Sequence, residues 1–218
     1  MKLTEELRSS ADHIWKKILE HPFVIELYSG ILPLKKFKYY VIQDYNYLVT
    51  ICKCFSLIAS KAEYAVAQRM LELAHMEATT EMDSYKKLLD KLGMKLEDVV
   101  KADPSPTNTA YMNFLLTTCS LEPPLEGLIS LLPCFWSYAE IASKHKGLLE
   151  NNRNDIYVEW AETYTTREYL DLVEELKALI NQMSGAHDRE KLKKIFIMAS
   201  KYEYMFWDMA YKMERWPL

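Results

Sequence analysis

Two acids and one thiol stand at positions where packing alone would favour apolar side chains. Cys134 lies in the middle of Leu128-Ile129-Ser130-Leu131-Leu132-Pro133-Cys134-Phe135-Trp136-Ser137-Tyr138, a helical run apolar on every side. Asp44 falls in the stripe Phe37, Val41, Asp44, Leu48, Ile51, Phe55 and Ile58, and Glu203 in the stripe Leu192, Phe196, Ala199, Glu203, Phe206, Ala210 and Met213. Both stripes advance by fours and threes, the spacing of one buried helix face. A carboxylate left without partners in such a place costs several kcal/mol, so an inward acid is kept where something meets it. The thiol is either core packing, the commoner use of a free cysteine, or a nucleophile. The two acids are either paired structurally or line a polar pocket for a nitrogen base. Glu81, in a third stripe of Ala67, Leu71, Ala74, Ala78, Glu81, Tyr85 and Leu88, is read as a structural acid held by tyrosine or by a cation.

Tyrosine is frequent, at 15 residues, and Tyr40, Tyr45, Tyr47, Tyr111, Tyr138, Tyr164, Tyr202 and Tyr204 fall in or near the segments that carry the acids and the thiol. A phenol offers a flat apolar face and one polar handle. Tyrosines, two acids and a thiol together suit a flat, nitrogen-bearing aromatic ring. Other chemistries fit less well. None of the histidines (His13, His21, His75, His145, His187) pairs by sequence with Cys134 as a base would. Glu72 and His75 form one Glu-x-x-His motif, but a di-metal helical bundle needs two. The residues three before the other histidines are Ser10, Ile18, Ala142 and Ser184, so no second motif exists. No metal and no cofactor is expected, and His75 is read as a hydrogen-bonded core residue.

The elements that must position these groups are all helical. The periodicity predicts helices over about 3–20, from Pro22 to Gly30, 34–61, 64–92, 107–120, from Pro123 through the Cys134 run, 156–163, 168–183 and 188–215. Pro133 is expected to kink the helix just before the thiol, and Tyr138 lies four residues past it on the same face. The stretch from Lys101 to Thr107 is the most loop-like. No linker or repeat divides the chain, so residues 1–218 are expected to form one all-α domain.

Composition narrows the function classes. Half of the 218 residues are hydrophobic, enough for a large core, and the 5 glycines form no phosphate-cradling loop. A net charge of −4 argues against nucleic acid as a partner. The longest apolar run falls short of the roughly 20 residues that span a membrane. The N-terminal stretch is charged and helical, with no signal-peptide core. Cys52, Cys54, Cys119 and Cys134 show no metal-ligand spacing and are expected to be reduced thiols in the cytoplasm.

Several stretches, in order along nearly the whole chain, resemble the TenA family of thiaminase II or aminopyrimidine aminohydrolase enzymes. They are His21 to Val24, Phe37 to Asp44 with Tyr47, Ser105-Pro106-Thr107 with Tyr111, Leu131 to Tyr138, and Tyr202 to Tyr211. The resemblance implies a helical bundle of the haem-oxygenase-like fold without haem, assembled as a homotetramer. It implies an aminopyrimidine or thiamin as the small-molecule substrate, in thiamin salvage or breakdown. Carried over, Cys134 would be the nucleophile, Asp44 would bind the amidine edge of the pyrimidine, and Glu203 would shuttle protons at the leaving group. Tyr47, Tyr138 and Tyr164 would position ring, water and catalytic groups, and Tyr111 and Phe206 would stack on the ring faces. A non-catalytic pyrimidine binder, and a di-metal or cofactor-free oxidase on a similar bundle, are the competing readings.

Overall fold

A computed structural model of the chain describes residues 2–185 and 187–217; Met1, Ala186 and Leu218 lie outside the described residues. Among the described residues every regular element is a helix or a helical turn, and no strand occurs. In chain order the helices are α1 (Leu3–Ser10), α2 (Asp12–Leu19), α3 (Pro22–Tyr28), α4 (Leu34–Ala59) and α5 (Tyr64–Met76). A π turn, Glu77–Glu81, joins α5 to α6 (Met82–Lys91). Then come α7 (Leu96–Val100), α8 (Pro106–Leu121), α9 (Pro124–Leu149) and α10 (Asp155–Glu162). A 3-10 turn, Thr163–Thr165, precedes α11 (Arg167–Met183) and α12 (Arg189–Lys212). Among the described residues no helix is long and apolar enough to cross a membrane.

The helix ends follow local chemistry. Pro22 and Pro106 open α3 and α8 at the first helical position, where a missing N–H costs nothing. His21 Nδ1 accepts from Phe23 N at 3.1 Å, and Ser105 Oγ accepts from Asn108 N at 3.3 Å, so each cap satisfies an orphan donor. The expected single helix over 3–20 is instead two, broken at Ala11 with φ −108° and ψ 7°. Ser10 turns its hydroxyl back onto Leu7 O at 2.6 Å, an alternative to the helix ladder that serine readily takes. The five-residue helix α7 lies in a stretch left without an assignment by periodicity.

The fold divides into two compact units, each made of discontinuous segments. The first holds the chain up to Leu32 together with Leu128–Asp208. Trp15 is its centre: it meets Trp136 edge-on at 5.4 Å and stacks on Phe196 at 5.9 Å, and its Nε1 donates to Ser200 Oγ at 2.9 Å. Arg8 forks onto Glu140 of α9 at 3.1 and 2.9 Å while lying over the Trp15 ring. The end of α3 is held by Asn152, whose Nδ2 donates to Leu27 O at 2.9 Å and Tyr28 O at 3.2 Å. Gly30 makes room for it, because at φ +76° a Cβ there would stand 2.4 Å from Asn152 Oδ1. Gly30→Ala is therefore expected to lower the midpoint of thermal unfolding. The left-handed backbone alone costs about 1–2 kcal/mol, and displacing Asn152 adds to it.

The second unit holds Pro33–Gly127 and the chain from Met209 onward. Here α4 packs against α5 and α8. Gln43 locks α4 to the start of α8: its Oε1 accepts from Ser105 N at 2.8 Å and from Asn108 Nδ2 at 3.1 Å. Glu214 covers the first turn of α8, accepting from Thr107 N at 2.9 Å and Thr107 Oγ1 at 3.0 Å, a favourable place for a negative charge. At the other end of α8, Lys61 Nζ donates to Cys119 O at 2.6 Å and Ser120 O at 3.0 Å, where a positive charge is favoured.

Candidate functional site

In the first unit the thiol sits where the sequence placed it, on a continuous α9 with Pro133 inside the helix. Proline has no N–H to give the carbonyl four residues earlier, that of Ile129, so the turn before Cys134 is short of one ladder bond. Around it Leu131 is 1% exposed, Leu132 0% and Phe135 6%, yet Cys134 itself is only half-buried. Cys54 and Cys119 are fully buried. Cys134 is thus more open than the other cysteines of the helical interior, Cys54 and Cys119.

Next to it the structure assembles a cluster of aromatic rings. Tyr138 and Tyr164 meet at 4.7 Å between ring centroids, although Tyr164 lies on the short 3-10 turn after α10. Trp207 of α12 lies 5.1 Å from Tyr138, and Trp160 lies 4.9 Å from Tyr164. Tyr169 closes the group edge-on to Tyr164 at 5.1 Å, and its hydroxyl donates to Phe135 O at 2.8 Å. Trp160, Tyr169 and Trp207 were not among the sequence candidates. Trp160 precedes Tyr164 by one helical turn and Trp207 follows Phe206 directly, so the spacing held that signal. On α12 Glu203 is 3% exposed and Phe206 4%. The inward stripe is real there, with Leu192, Phe196, Ala199 and Ala210 all buried beside them.

In the second unit α4 carries Asp44, half-buried, and Tyr47, buried. Tyr47 lies against Tyr111 of α8 with ring centroids 5.2 Å apart and a hydroxyl–hydroxyl contact of 3.3 Å. The Gln43 bridge to Ser105 and Asn108 fixes these two helices just beside that pair. Tyr85, on α6, donates its hydroxyl to Val41 O at 2.6 Å; burial first, then the charge of Asp44, pushes its ionisation well up.

The third stripe departs from expectation. Leu71 is 57% exposed, and the buried residues are Met70, Leu73 and Ala74 before the π turn and Tyr85 and Leu89 after it. One extra residue in the ladder rotates the following face by about 100°. Thr79 Oγ1 donates back to His75 O at 2.7 Å, competing with the ladder at this point. His75 is exposed rather than a core histidine. Glu81 is half-buried with no hydrogen bond or ion pair among the described residues, so the structural role expected for it is not what it has. Burial holds its carboxyl above the usual range.

The π turn also turns inward an acid that the sequence reading passed over. Glu77 Oε2 is closed to solvent and has no hydrogen-bond partner, although the residue as a whole is half-buried. Burial, then Glu81, then Asp44 push its carboxyl up to about 8 from 4.5. With the folded value above the unfolded one, Glu77 favours the folded state least at high pH: stability is lost as pH rises from 4.5 through about 8. Glu77→Gln is expected to remove this slope. Its stability, followed by thermal unfolding, should gain on that of the unsubstituted protein between pH 5 and 8, by at most about 1.4 kcal/mol per pH unit. Parallel melting curves across that range would contradict it. Among the described residues no group of three or more His, Cys, Asp or Glu is placed to hold a metal ion.

The chain matches the model of the TENA/THI-4/PQQC family over residues 8–213. It is 34% identical over 221 residues to a Bacillus subtilis protein named aminopyrimidine aminohydrolase, covering 99% of this chain and 92% of that one. The solved structure of a TenA homologue from P. horikoshii OT3 superposes with a TM-score of 0.95 at 49% identity, covering 97% of this chain and 99% of that one. A Shewanella denitrificans domain with a heme oxygenase-like fold superposes with a TM-score of 0.78 over 98% of this chain and 93% of that one. At 16% identity that likeness is one of fold alone.

Proposed function

Because the chain belongs to the TENA/THI-4/PQQC family, we propose that it is a hydrolase of thiamin salvage that releases ammonia from 4-amino-5-aminomethyl-2-methylpyrimidine. The observation that carries this is the near end-to-end similarity to an aminopyrimidine aminohydrolase. The single family match supports reading the chain as one functional domain.

The chemistry divides into two steps. The Cys134 thiolate adds to an electron-poor ring carbon, and the electron pair displaced through the ring expels the amine from the methylene. Water then adds at the methylene, and departure of the thiolate restores the aromatic ring. The balance is amine plus water to alcohol plus ammonia. Covalent catalysis replaces one hard displacement by two easier ones. Asp44 takes the amidine edge of the ring as a charged hydrogen-bond acceptor. Glu203, buried in its helix face, gives a proton to the departing amine and takes one from water. Tyr138 and Tyr164, in mutual contact, order the ring and the attacking water, with Tyr47 as the third positioning phenol. Tyr111 and Phe206 cover the ring faces.

Partial exposure of Cys134 within a sealed helix turn supports the nucleophile role over core packing. The homotetramer, the cytoplasmic setting and cleavage of thiamin itself belong to the same proposal. The test is ammonia release from the aminomethyl-pyrimidine, run beside thiazole release from thiamin. Ligand binding with neither product formed would make the protein a pyrimidine binder instead.

A further inference from the structure

We propose that Tyr169 is a positioning residue of the thiol site: its hydroxyl, bonded to the carbonyl of Phe135, latches the turn bearing Tyr164 against the turn bearing Cys134 and so sets how open the thiol is. The inference rests on Cys134 and Tyr164 acting on the pyrimidine, as proposed above.

The stretch that carries Tyr164 is weakly held by packing. Ala161 of α10 and Val173 of α11 are buried, and between them no residue is. Thr163, Thr165, Thr166, Arg167, Glu168 and Leu170 are exposed, while Tyr164 and Tyr169 are half-buried. The threonine hydroxyls serve the stretch locally: Thr165 Oγ1 donates to Glu162 O at 2.8 Å, and Thr166 Oγ1 to Thr163 O at 2.9 Å. Such bonds shape the 3-10 turn without tying it to another helix. A segment with few buried apolar contacts opens at a small fraction of the free energy of global unfolding.

Two phenols reach inward from it. Tyr164 meets Tyr138 at 4.7 Å, and Tyr138 lies one helical turn beyond Cys134 on the same face. Tyr169 stands edge-on to Tyr164 at 5.1 Å, and its hydroxyl crosses to α9, donating to Phe135 O at 2.8 Å. Phe135 directly follows Cys134. A carbonyl has two lone pairs and the helix ladder uses one, so the phenol adds a bond to this turn rather than replacing one. From Val173 onward α11 is held by packing, with Leu176 and Ile180 buried and Lys177 Nζ 4.4 Å from the centre of the Trp136 ring. The Tyr169 hydroxyl extends that α9–α11 contact toward the thiol. Without it, the start of α11 and the 3-10 turn are free to lift together, taking Tyr164 away from Tyr138 and uncovering Cys134.

The experiment compares Tyr169→Phe with the unsubstituted protein. The change removes one oxygen and keeps the ring, and circular dichroism with a melting curve establishes the fold. Alkylation by iodoacetamide is followed at each cysteine by peptide mass, with Cys52, half-buried on α4 of the second unit, as the internal reference. A thiol that reacts through local opening does so at a rate set by the opening equilibrium. Loss of one hydrogen bond should then speed alkylation of Cys134 by about three- to tenfold and leave Cys52 unchanged. In the same variant kcat for ammonia release should fall by about three- to tenfold with KM little changed, because a loosened Tyr164 orients ring and water less well for the chemical step. In a Tyr164→Ala background the Tyr169→Phe change should cost kcat nothing further, since Tyr169 acts through Tyr164. An unchanged Cys134 rate, an equal rise at both cysteines, an unchanged kcat, or the same kcat loss with and without Tyr164 overturns the proposal while leaving the aminopyrimidine reading intact. No ammonia from the unsubstituted protein overturns that reading, and the alkylation rates alone then decide whether Tyr169 holds the thiol turn. A second measurement needs no substitution. The amides of Thr166, Tyr169 and Leu170, which donate to Thr163 O, Thr166 Oγ1 and Thr166 O, should exchange with the same dependence on urea as Cys134 alkylation, below the unfolding transition. Different urea dependences overturn the proposal.

Discussion

Cys134→Ser protein is expected to lose roughly 10³-fold or more in kcat for ammonia release while holding the pyrimidine nearly as tightly as before. The two side chains are similar in size, so the helix turn between Pro133 and Phe135 has no reason to change. What changes is the nucleophile. A thiol is a few per cent ionised near neutral pH and strongly nucleophilic, whereas an unactivated hydroxyl is neither. On the proposed roles, the acids and the phenols that hold the ring remain, so ground-state binding should survive and the loss should fall on the chemical step. Helical circular dichroism and a melting curve establish that the variant is folded. A folded variant with near-normal turnover would return Cys134 to the packing role that an apolar helix first suggests.

Asp44→Asn should act differently, lowering affinity and turnover together. The amide keeps the size of the carboxyl but gives up its charge, and one of its two terminal atoms becomes a donor. A hydrogen bond to a charged group contributes about 1.5–3 kcal/mol, so binding of the pyrimidine should weaken by about ten- to a hundredfold. Turnover should fall further, because a protonated or hydrogen-bonded ring nitrogen is what draws the electron pair through the ring when the thiolate adds. Titration calorimetry and steady-state kinetics on the same preparation separate the two losses. An Asp44→Asn protein with unchanged affinity and lowered kcat would move Asp44 from gripping the ring to chemistry alone. The substitution also takes one negative charge away from Glu77 and Glu81, so the Glu77 proton should be lost at lower pH than before.

What was legible in the sequence was whatever is encoded locally. Prolines at the first turn of α3 and α8, glycines after α3 and α6 and the fours-and-threes spacing of α4 and α12 placed most helices within a few residues. The same spacing placed Glu203 inward, and a largely apolar run marked the buried helix turn in which Cys134 stands half-buried. These features need no knowledge of neighbouring helices, because capping, backbone handedness and facial periodicity act within one or two turns. Even the resemblance that suggested the roles of Cys134, Asp44 and Glu203 was carried by short stretches of this kind.

What only the tertiary structure decided depends on how faces meet. The break at Ala11 lies inside a pattern that reads as one helix, and nothing in the spacing separates it from a continuous one. The π turn is the larger case. Periodicity assumes a constant 3.6 residues per turn, so one inserted residue shifts the stripe from that point on, and Ala78, read as facing inward on that assumption, is exposed. Whether such a turn forms depends on which side chains the neighbouring helix offers to it, here those of α4. Glu77 is therefore indistinguishable in sequence from a surface glutamate of an amphipathic helix. Its burial, its proton and its bearing on Asp44 exist only once α4 and the π turn are packed together, because desolvation and charge repulsion act across space between residues far apart along the chain.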